Sequence, residues 1–231
     1  MRKKEEVRIM FDSIAWRYDF LNHFLSFGTD LQWRKKAIKE IAKRINPQKI
    51  LDLATGTCDL AIQSLRLKPD MVTAVDISQR MLEEGRKKLY RRKLNKKIEL
   101  MIGDSEALPF DDLSYDVVMG SFGIRNFEDP ERGLAEMYRV LRKGGVIMIL
   151  EFSKPDKFPF KYIYGFYFHK ILPFFGALFS KEKSAYNYLP DSVSIFPEGE
   201  AFLEMMDNIG FRELKQRRMT GGVATIYSGC R

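Results

Sequence analysis

An apolar run, Ile50-Leu-Asp-Leu53, opens directly into a turn of small residues, Ala54-Thr-Gly-Thr57, followed by Cys58, Asp59 and a helical pattern. This strand, turn and helix constrain the chain more than any other feature. Such a turn lets backbone approach a ligand just past the carboxyl end of a buried strand, which is where open α/β sheets take their ligands. A second β-rich run, Val72-Thr-Ala-Val-Asp76, ends in an acid. A carboxylate about 20 residues past such a turn can accept both hydroxyls of a ribose. The two stretches together point to a nucleotide-like cofactor.

The dinucleotide fingerprint G-x-G-x-x-G is absent, because Ala54 and Cys58 stand at the alternate positions beside Gly56. No G-x-x-x-x-G-K-[ST] triphosphate loop is present either. One firm glycine and a ribose acid suit a cofactor without pyrophosphate, and S-adenosylmethionine is one. The same residues also fit a plain βα turn at Gly56 with Asp76 capping a helix near Ser78.

The rest of the chain repeats the alternation. Strands are expected at Met71–Asp76, Ile98–Ile102, Tyr115–Met119 and Val146–Phe152. Asp129-Pro130 offers the N-cap and first position of a helix with Leu134, Met137, Tyr138 and Leu141 turned inward. After a helix from Glu198 to Ile209, the runs Phe211–Arg217 and Val223–Tyr227 have no helix between them and read as an antiparallel edge hairpin. The expected fold is α/β and Rossmann-like: a seven-stranded, mostly parallel sheet made of right-handed βαβ units. Two parts fall outside that rhythm. Residues 1–46 are helical and amphipathic, with Val7, Phe11, Ile14, Tyr18 and Leu21 at helical spacing. Residues 156–196 form an insert dense in aromatics, from Phe158 to Phe179. The whole chain of 231 residues reads as one domain.

The formal net charge of +8 invites a nucleic-acid reading. Much of that charge sits in runs such as Arg86-Lys-Lys88 and Arg91-Arg-Lys93, which suit a solvated helix end. Cys58 and Cys230 make no disulfide framework, and with His23 and His169 the only histidines no zinc site is expected. The start lacks the apolar core of a signal peptide, and no uncharged apolar run reaches membrane-spanning length. A reducing, cytoplasmic setting is the expectation.

Two further loops carry chemistry. Gly103-Asp104-Ser105-Glu106 follows the third strand, where an acid beside a small polar residue can bond the exocyclic amine of adenine, with Ile77 or Leu108 against the ring. Ser121-Phe-Gly-Ile-Arg-Asn126 follows the fourth strand, where class I methyltransferases place acceptor chemistry. The loop lacks the Asn/Asp-Pro-Pro-Tyr/Phe motif of amino-nitrogen methylators, and neither cysteine is near enough to serve as a nucleophile. Arg125 is suited to ionising or orienting an acceptor hydroxyl and Asn126 to bonding an adjacent oxygen. Alternatively, Arg125 only pairs with a carboxylate such as Glu128. The aromatic insert fits an apolar ligand pocket, a membrane interface or ordinary core.

Several stretches resemble the UbiE-type C-methyltransferases of menaquinone and ubiquinone biosynthesis: Met10-Phe-Asp-Ser-Ile-Ala-Trp-Arg-Tyr-Asp19, Ala107-Leu-Pro-Phe110, Phe122-Gly-Ile-Arg-Asn126, Ala135-Glu-Met-Tyr-Arg-Val-Leu141, Glu151-Phe-Ser-Lys-Pro155, Tyr188-Leu-Pro190 and Thr220-Gly-Gly222. The resemblance implies S-adenosyl-L-methionine as donor and a polyprenylated demethylmenaquinol as acceptor, with a ubiquinone-pathway benzoquinol as the alternative. It places cofactor contacts on Thr57, Asp76, Asp104, Ser105 and Ser121, beside the Gly56 that the turn itself offers to the cofactor, and the acid–base pair on Arg125 and Asn126. Peripheral contact with the membrane surface and a homodimer are compatible with it; nucleic acid is not an expected partner, and no metal is expected. An RNA methyltransferase and a non-catalytic quinone-binding scaffold are the remaining alternatives. One residue departs from the pattern: Cys58 replaces the usual glycine, and its side chain is expected to crowd the methionine end of the cofactor.

Overall fold

The structure, a computed structural model, describes residues 2–166 and 183–231. Three helices, α1 (Arg2–Ile14), α2 (Tyr18–Leu25) and α3 (Thr29–Ala42), precede the sheet. The alternating part runs β1 (Lys49–Leu53), α4 (Asp59–Ser64), β2 (Met71–Asp76), α5 (Gln79–Arg91), β3 (Ile98–Ile102), β4 (Tyr115–Ser121), α6 (Pro130–Val140) and β5 (Leu141–Phe152). Then come α7 (Phe160–Phe166), α8 (Lys183–Ile195), α9 (Glu200–Ile209), β6 (Arg212–Met219) and β7 (Ala224–Cys230).

The seven strands form one sheet in the order β3-β2-β1-β4-β5-β7-β6. Strands β1 to β5 pair in parallel, and β7 pairs antiparallel with both β5 and β6. The expected mostly parallel sheet with its edge hairpin is therefore present. Period-two alternation splits the core into two layers. Ile50, Val72, Ala74, Val117 and Met119 face one layer with α3, α4 and α5; Leu51, Leu53, Val118, Ile147 and Ile149 face the other with α6 and α9. Strand order reverses beside β1, so the crevice between the carboxyl ends of β1 and β4 is the topological switch point.

Helix starts follow local chemistry. Ser78 Oγ accepts from the Met81 amide at 3.1 Å, and Asp129 accepts from the Arg132 amide at 3.0 Å with Pro130 first in the helix. The end of α6 differs from expectation. Leu141 does not close α6 but begins β5, because it pairs with Tyr115 at the foot of β4. Gly144 and Gly145 then fold within the strand, held by a Gly144 amide bond to the Arg231 carbonyl at 2.8 Å and an Arg231 amide bond to the Gly145 carbonyl at 3.1 Å. The hairpin strands also run further than expected, since their pairing continues to Cys230. Of the aromatic insert, Tyr167, Phe168, Phe174, Phe175 and Phe179 lie outside the described residues. No helix among the described residues is long and apolar enough to cross a membrane.

Candidate active site

At the carboxyl end of β1 the chain takes positive φ at Ala54, Gly56 and Cys58. The third of these decides where the unexpected thiol goes. A Cβ on Gly85 would fall 2.5 Å from Cys58 Sγ, so the thiol packs against α5, and Cys58 lines neither cavity at this end of the sheet. The crowding expected from its replacement of glycine does not occur. Burial pushes this thiol up to about 12, which leaves it unreactive at neutral pH.

Gly56 lines a narrow cleft of about 80 Å³ together with Asp76, Asp104, Ser105 and Asn126. Its amide donates to Asp76 Oδ2 at 2.7 Å, and the Ser78 amide donates to Asp76 Oδ1 at 2.8 Å. Asp76 therefore braces the turn and the start of α5 while its carboxylate edges the cleft. Burial pushes its carboxyl up to about 6, against the opposing pull of those two amides. Asn126 Oδ1 is buried with no hydrogen-bond partner among the described residues, an unmet acceptor on a residue that lines the cleft. Gly123, opposite, meets Ala54 so closely that a Cβ would lie 2.4 Å from the Ala54 methyl. The β1 and β4 turns can pass each other only with glycine there.

The far end of the cleft is occupied from above. Lys4, on α1, reaches Asp104 Oδ2 at 2.7 Å and Glu106 Oε2 at 3.1 Å. Burial pushes the Asp104 carboxyl up, but the Lys4 hydrogen bond and charge outweigh it and hold the group below the usual carboxylate range. Val7 and Phe11 of the same helix fill the space beside it. Two of the expected cofactor residues are elsewhere. Thr57 turns away and donates to Asp19 of α2, which also takes Lys88 at 2.5 Å; Ser121, at the end of β4, is half-buried and does not line the cleft.

A larger cavity of about 350 Å³ lies next to this cleft, and Phe11, Tyr18 and Phe122 line both. Consecutive residues of the short turn Ile124–Asn126 serve different chambers: Asn126 the cleft, Arg125 the cavity. Arg125 pairs not with Glu128 but with the fully buried Glu151 of β5, Nη1 to Oε1 at 2.7 Å. It also donates from Nη1 to the Phe122 carbonyl and from Nε to Ser192 Oγ at 3.3 Å. Its Nη2 makes no hydrogen bond among the described residues. Glu151 is itself fixed by the Phe152 amide at 2.9 Å. The walls are aromatic: the Phe122 and Phe152 rings are tilted by 30° with centroids 4.4 Å apart, Trp33 meets both, and Phe160, Tyr164 and Tyr188 come from the insert. Phe27 and Ile163, which line the cavity, are exposed, as are Phe158, Tyr162 and Phe166 of the segment that carries Phe160 and Tyr164.

Sequence reasoning missed Lys4, Arg34, Trp33 and Glu151. For Arg34 a signal existed, since it falls on the same stripe of α3 as Ala37, Ile38 and Ile41. His23 was also missed; it lies 2.8 Å from Asp30 and 3.6 Å from Asp59. Arg34 and Lys88 already neutralise those carboxylates, so the three groups act as ties between α2, α3 and α4. Chemically, the site offers a carboxylate-edged turn for a polar ligand beside an aromatic chamber with a buried guanidinium.

Comparison with known proteins identifies the family. A model of the ubiE/COQ5 methyltransferase family matches residues 1–231. The chain is 44% identical over 228 residues to a demethylmenaquinone methyltransferase of Bacteroides fragilis, covering 98% of this chain and 93% of the relative. It is 46% identical over 229 residues to a ubiquinone/menaquinone biosynthesis C-methyltransferase UbiE of Geotalea daltonii, covering 98% and 97%. Among solved structures, a SAM-dependent methyltransferase from Thermotoga maritima superposes with a TM-score of 0.68 at 22% identity, covering 96% of this chain and 98% of that one. That last likeness speaks for the fold alone.

Proposed function

The chain belongs to the ubiE/COQ5 methyltransferase family, and from that membership we propose that it methylates a ring carbon of a polyprenylated demethylmenaquinol, with S-adenosyl-L-methionine as donor. The observation that carries the reading is Arg125. It is a buried guanidinium in an aromatic chamber that shares a wall with the β1 cleft. An RNA substrate would need an open, basic face instead.

The residues of the cleft fit the donor. Asp76 has lone pairs left for ribose hydroxyls after accepting its two amides, Asp104 and Ser105 suit the adenine amine, and the unmet Asn126 Oδ1 and the turn at Gly56 suit the methionine end. When bound, the donor supplies an electrophilic methyl group on a sulfonium sulfur. The chain's task is to make a ring carbon nucleophilic. A quinone carbon is a poor nucleophile, whereas an ionised hydroquinol pushes electron density onto its ring. The Arg125 guanidinium stabilises the oxyanion in a site shielded from water. Glu151 holds that guanidinium in place, and the Phe122 and Phe152 rings hold the acceptor flat in an attack-ready pose. Residues 156–196 receive the prenyl tail, and residues 1–46 close over the donor. The exposed Phe27, on the cavity wall, and Phe158 and Phe166, on the segment that carries Phe160 and Tyr164, meet the membrane surface.

The direct test is incubation with labelled donor and short-tailed demethylmenaquinol under reducing conditions, in parallel with a demethylated benzoquinol. Methylated naphthoquinol is the expected product; no transfer to either quinol would overturn the reading. The membrane contact has its own test: Phe27→Ser combined with Phe166→Ser should weaken co-sedimentation with vesicles, and unchanged sedimentation would rule it out.

The cleft of about 80 Å³ is too small for a nucleoside, so α1 must withdraw to admit the donor. Lys4→Met removes the group that competes for Asp104. A partly exposed pair of this kind is worth at most about 1 kcal/mol, so the variant should bind the donor more tightly by up to about fivefold in calorimetry. The pH profile of binding follows from Asp76. Its folded value near 6 lies above the ordinary 3.8, so this group alone makes the unliganded fold less stable as pH rises from about 4 to 6. Ribose hydroxyls need the ionised acceptor, so donor affinity should fall by up to about tenfold per pH unit below pH 6. Asp76→Asn should bind weakly with that pH dependence removed.

A further inference from the structure

The acceptor cavity holds a second guanidinium that the chemistry above leaves unused. Arg34 of α3 lines it together with Arg125, and its side chain is only 5% exposed. Nη1 donates to Asp30, a carboxylate also bonded by Ser26 Oγ at 2.7 Å and His23 at 2.8 Å. Nε is buried with no hydrogen-bond partner among the described residues. An arginine carries five fixed donors, and unmet ones inside a protein destabilise it until something supplies acceptors.

The two arginines are set out alike. Each is paired with a buried carboxylate, Asp30 for Arg34 and Glu151 for Arg125. Each lies over one ring of the tilted Phe122–Phe152 pair, Arg34 at 5.3 Å from Phe122 and Arg125 at 5.2 Å from Phe152. A hydroquinone carries its oxygens at opposite ends of the ring, so one guanidinium cannot serve both. We propose that Arg34 anchors the second oxygen, para to the one held by Arg125, and that this pairing makes the cavity select para-dihydroxy rings over rings with a single hydroxyl. The inference rests on the quinol reading of the same cavity. Because Asp30 and Glu151 balance the two cations, the site offers directed donors without a net positive charge.

The test is binding to the full chain, read by calorimetry without turnover. Three short-tailed probes are compared: a 1,4-dihydroxynaphthalene and the two mono-naphthols that each lack one of its hydroxyls. The wild type should prefer the diol to either mono-naphthol by about tenfold or more, since a site built around a hydroxyl rejects the analogue without it. The double variant Asp30→Asn with Arg34→Met removes the ion pair as a unit and should bind the diol no better than one of the two mono-naphthols, while still preferring it to the other. Arg34→Lys, which keeps the charge beside Asp30 but loses the planar fork, should show the same selective loss in smaller degree. An unchanged preference, or equal weakening toward all three probes, overturns the role of Arg34. A wild type that binds diol and mono-naphthols alike also overturns it, with the quinol reading intact. A wild type that binds none of them removes the quinol reading itself, and this inference with it.

Discussion

Single-turnover methyl transfer by Arg125→Gln should be about 10²- to 10³-fold slower than by the wild type, with donor affinity changed by less than about twofold. The size of the effect follows from where the charge sits. Nη1 and Nε are committed to Glu151, the Phe122 carbonyl and Ser192, which leaves Nη2 as the donor toward the acceptor oxygen. In a chamber walled by Phe122, Phe152 and Trp33 a charge acts through little solvent, so losing it is costly at the step where the oxyanion forms. Donor binding is spared because Arg125 does not line the cleft. Arg125→Ala is the poorer probe. It strands the fully buried Glu151 without a counter-charge or any side chain to replace it, at a cost of about 3–5 kcal/mol of stability. The double variant Arg125→Gln with Glu151→Gln removes both charges and should keep a melting temperature nearer the wild type while remaining slow. Arg125→Lys should recover part of the rate. If Arg125→Gln turned over at the wild-type rate, the oxyanion role would be refuted.

The second large effect concerns the root of the insert. Phe202→Ala should lower stability by about 3–5 kcal/mol and the melting temperature by roughly 10 °C. Phe202 is fully buried on α9, edge-on to Tyr227 at 4.7 Å and tilted against Phe196 at 5.1 Å. Phe196 follows α8, and the Tyr227 hydroxyl accepts from the Gly199 amide at 2.8 Å. These contacts pin the return of the insert to β7. Truncation leaves a void that the rigid sheet beneath cannot collapse to fill. Thermal melts would check it; a change below about 1 kcal/mol would mean the return is held elsewhere.

What could be read from the sequence was local. The turn after β1, the acid ending β2 and the loop after β3 announce themselves through residue type and spacing within a few positions. The five parallel strands do so through apolar runs bounded by turn chemistry. Contacts made by register or by helix placement were not legible. Glu151 stood in a recognised segment without a role, because its bond to Arg125 depends on β4 and β5 aligning Ser121 with Leu150. Lys4 reaches Asp104 across 100 residues of chain, and nothing in either segment alone requires it. Cys58 misled for a backbone reason: the left-handed turn aims its side chain at Gly85, a direction that residue type does not reveal.

Phe11, Tyr18 and Phe122 form a partition common to both chambers, and this has a thermodynamic consequence. Any rotation of these rings that admits one ligand reshapes the room left for the other, so the two binding free energies are not independent. Whatever factor the donor applies to acceptor affinity, the acceptor must return to the donor.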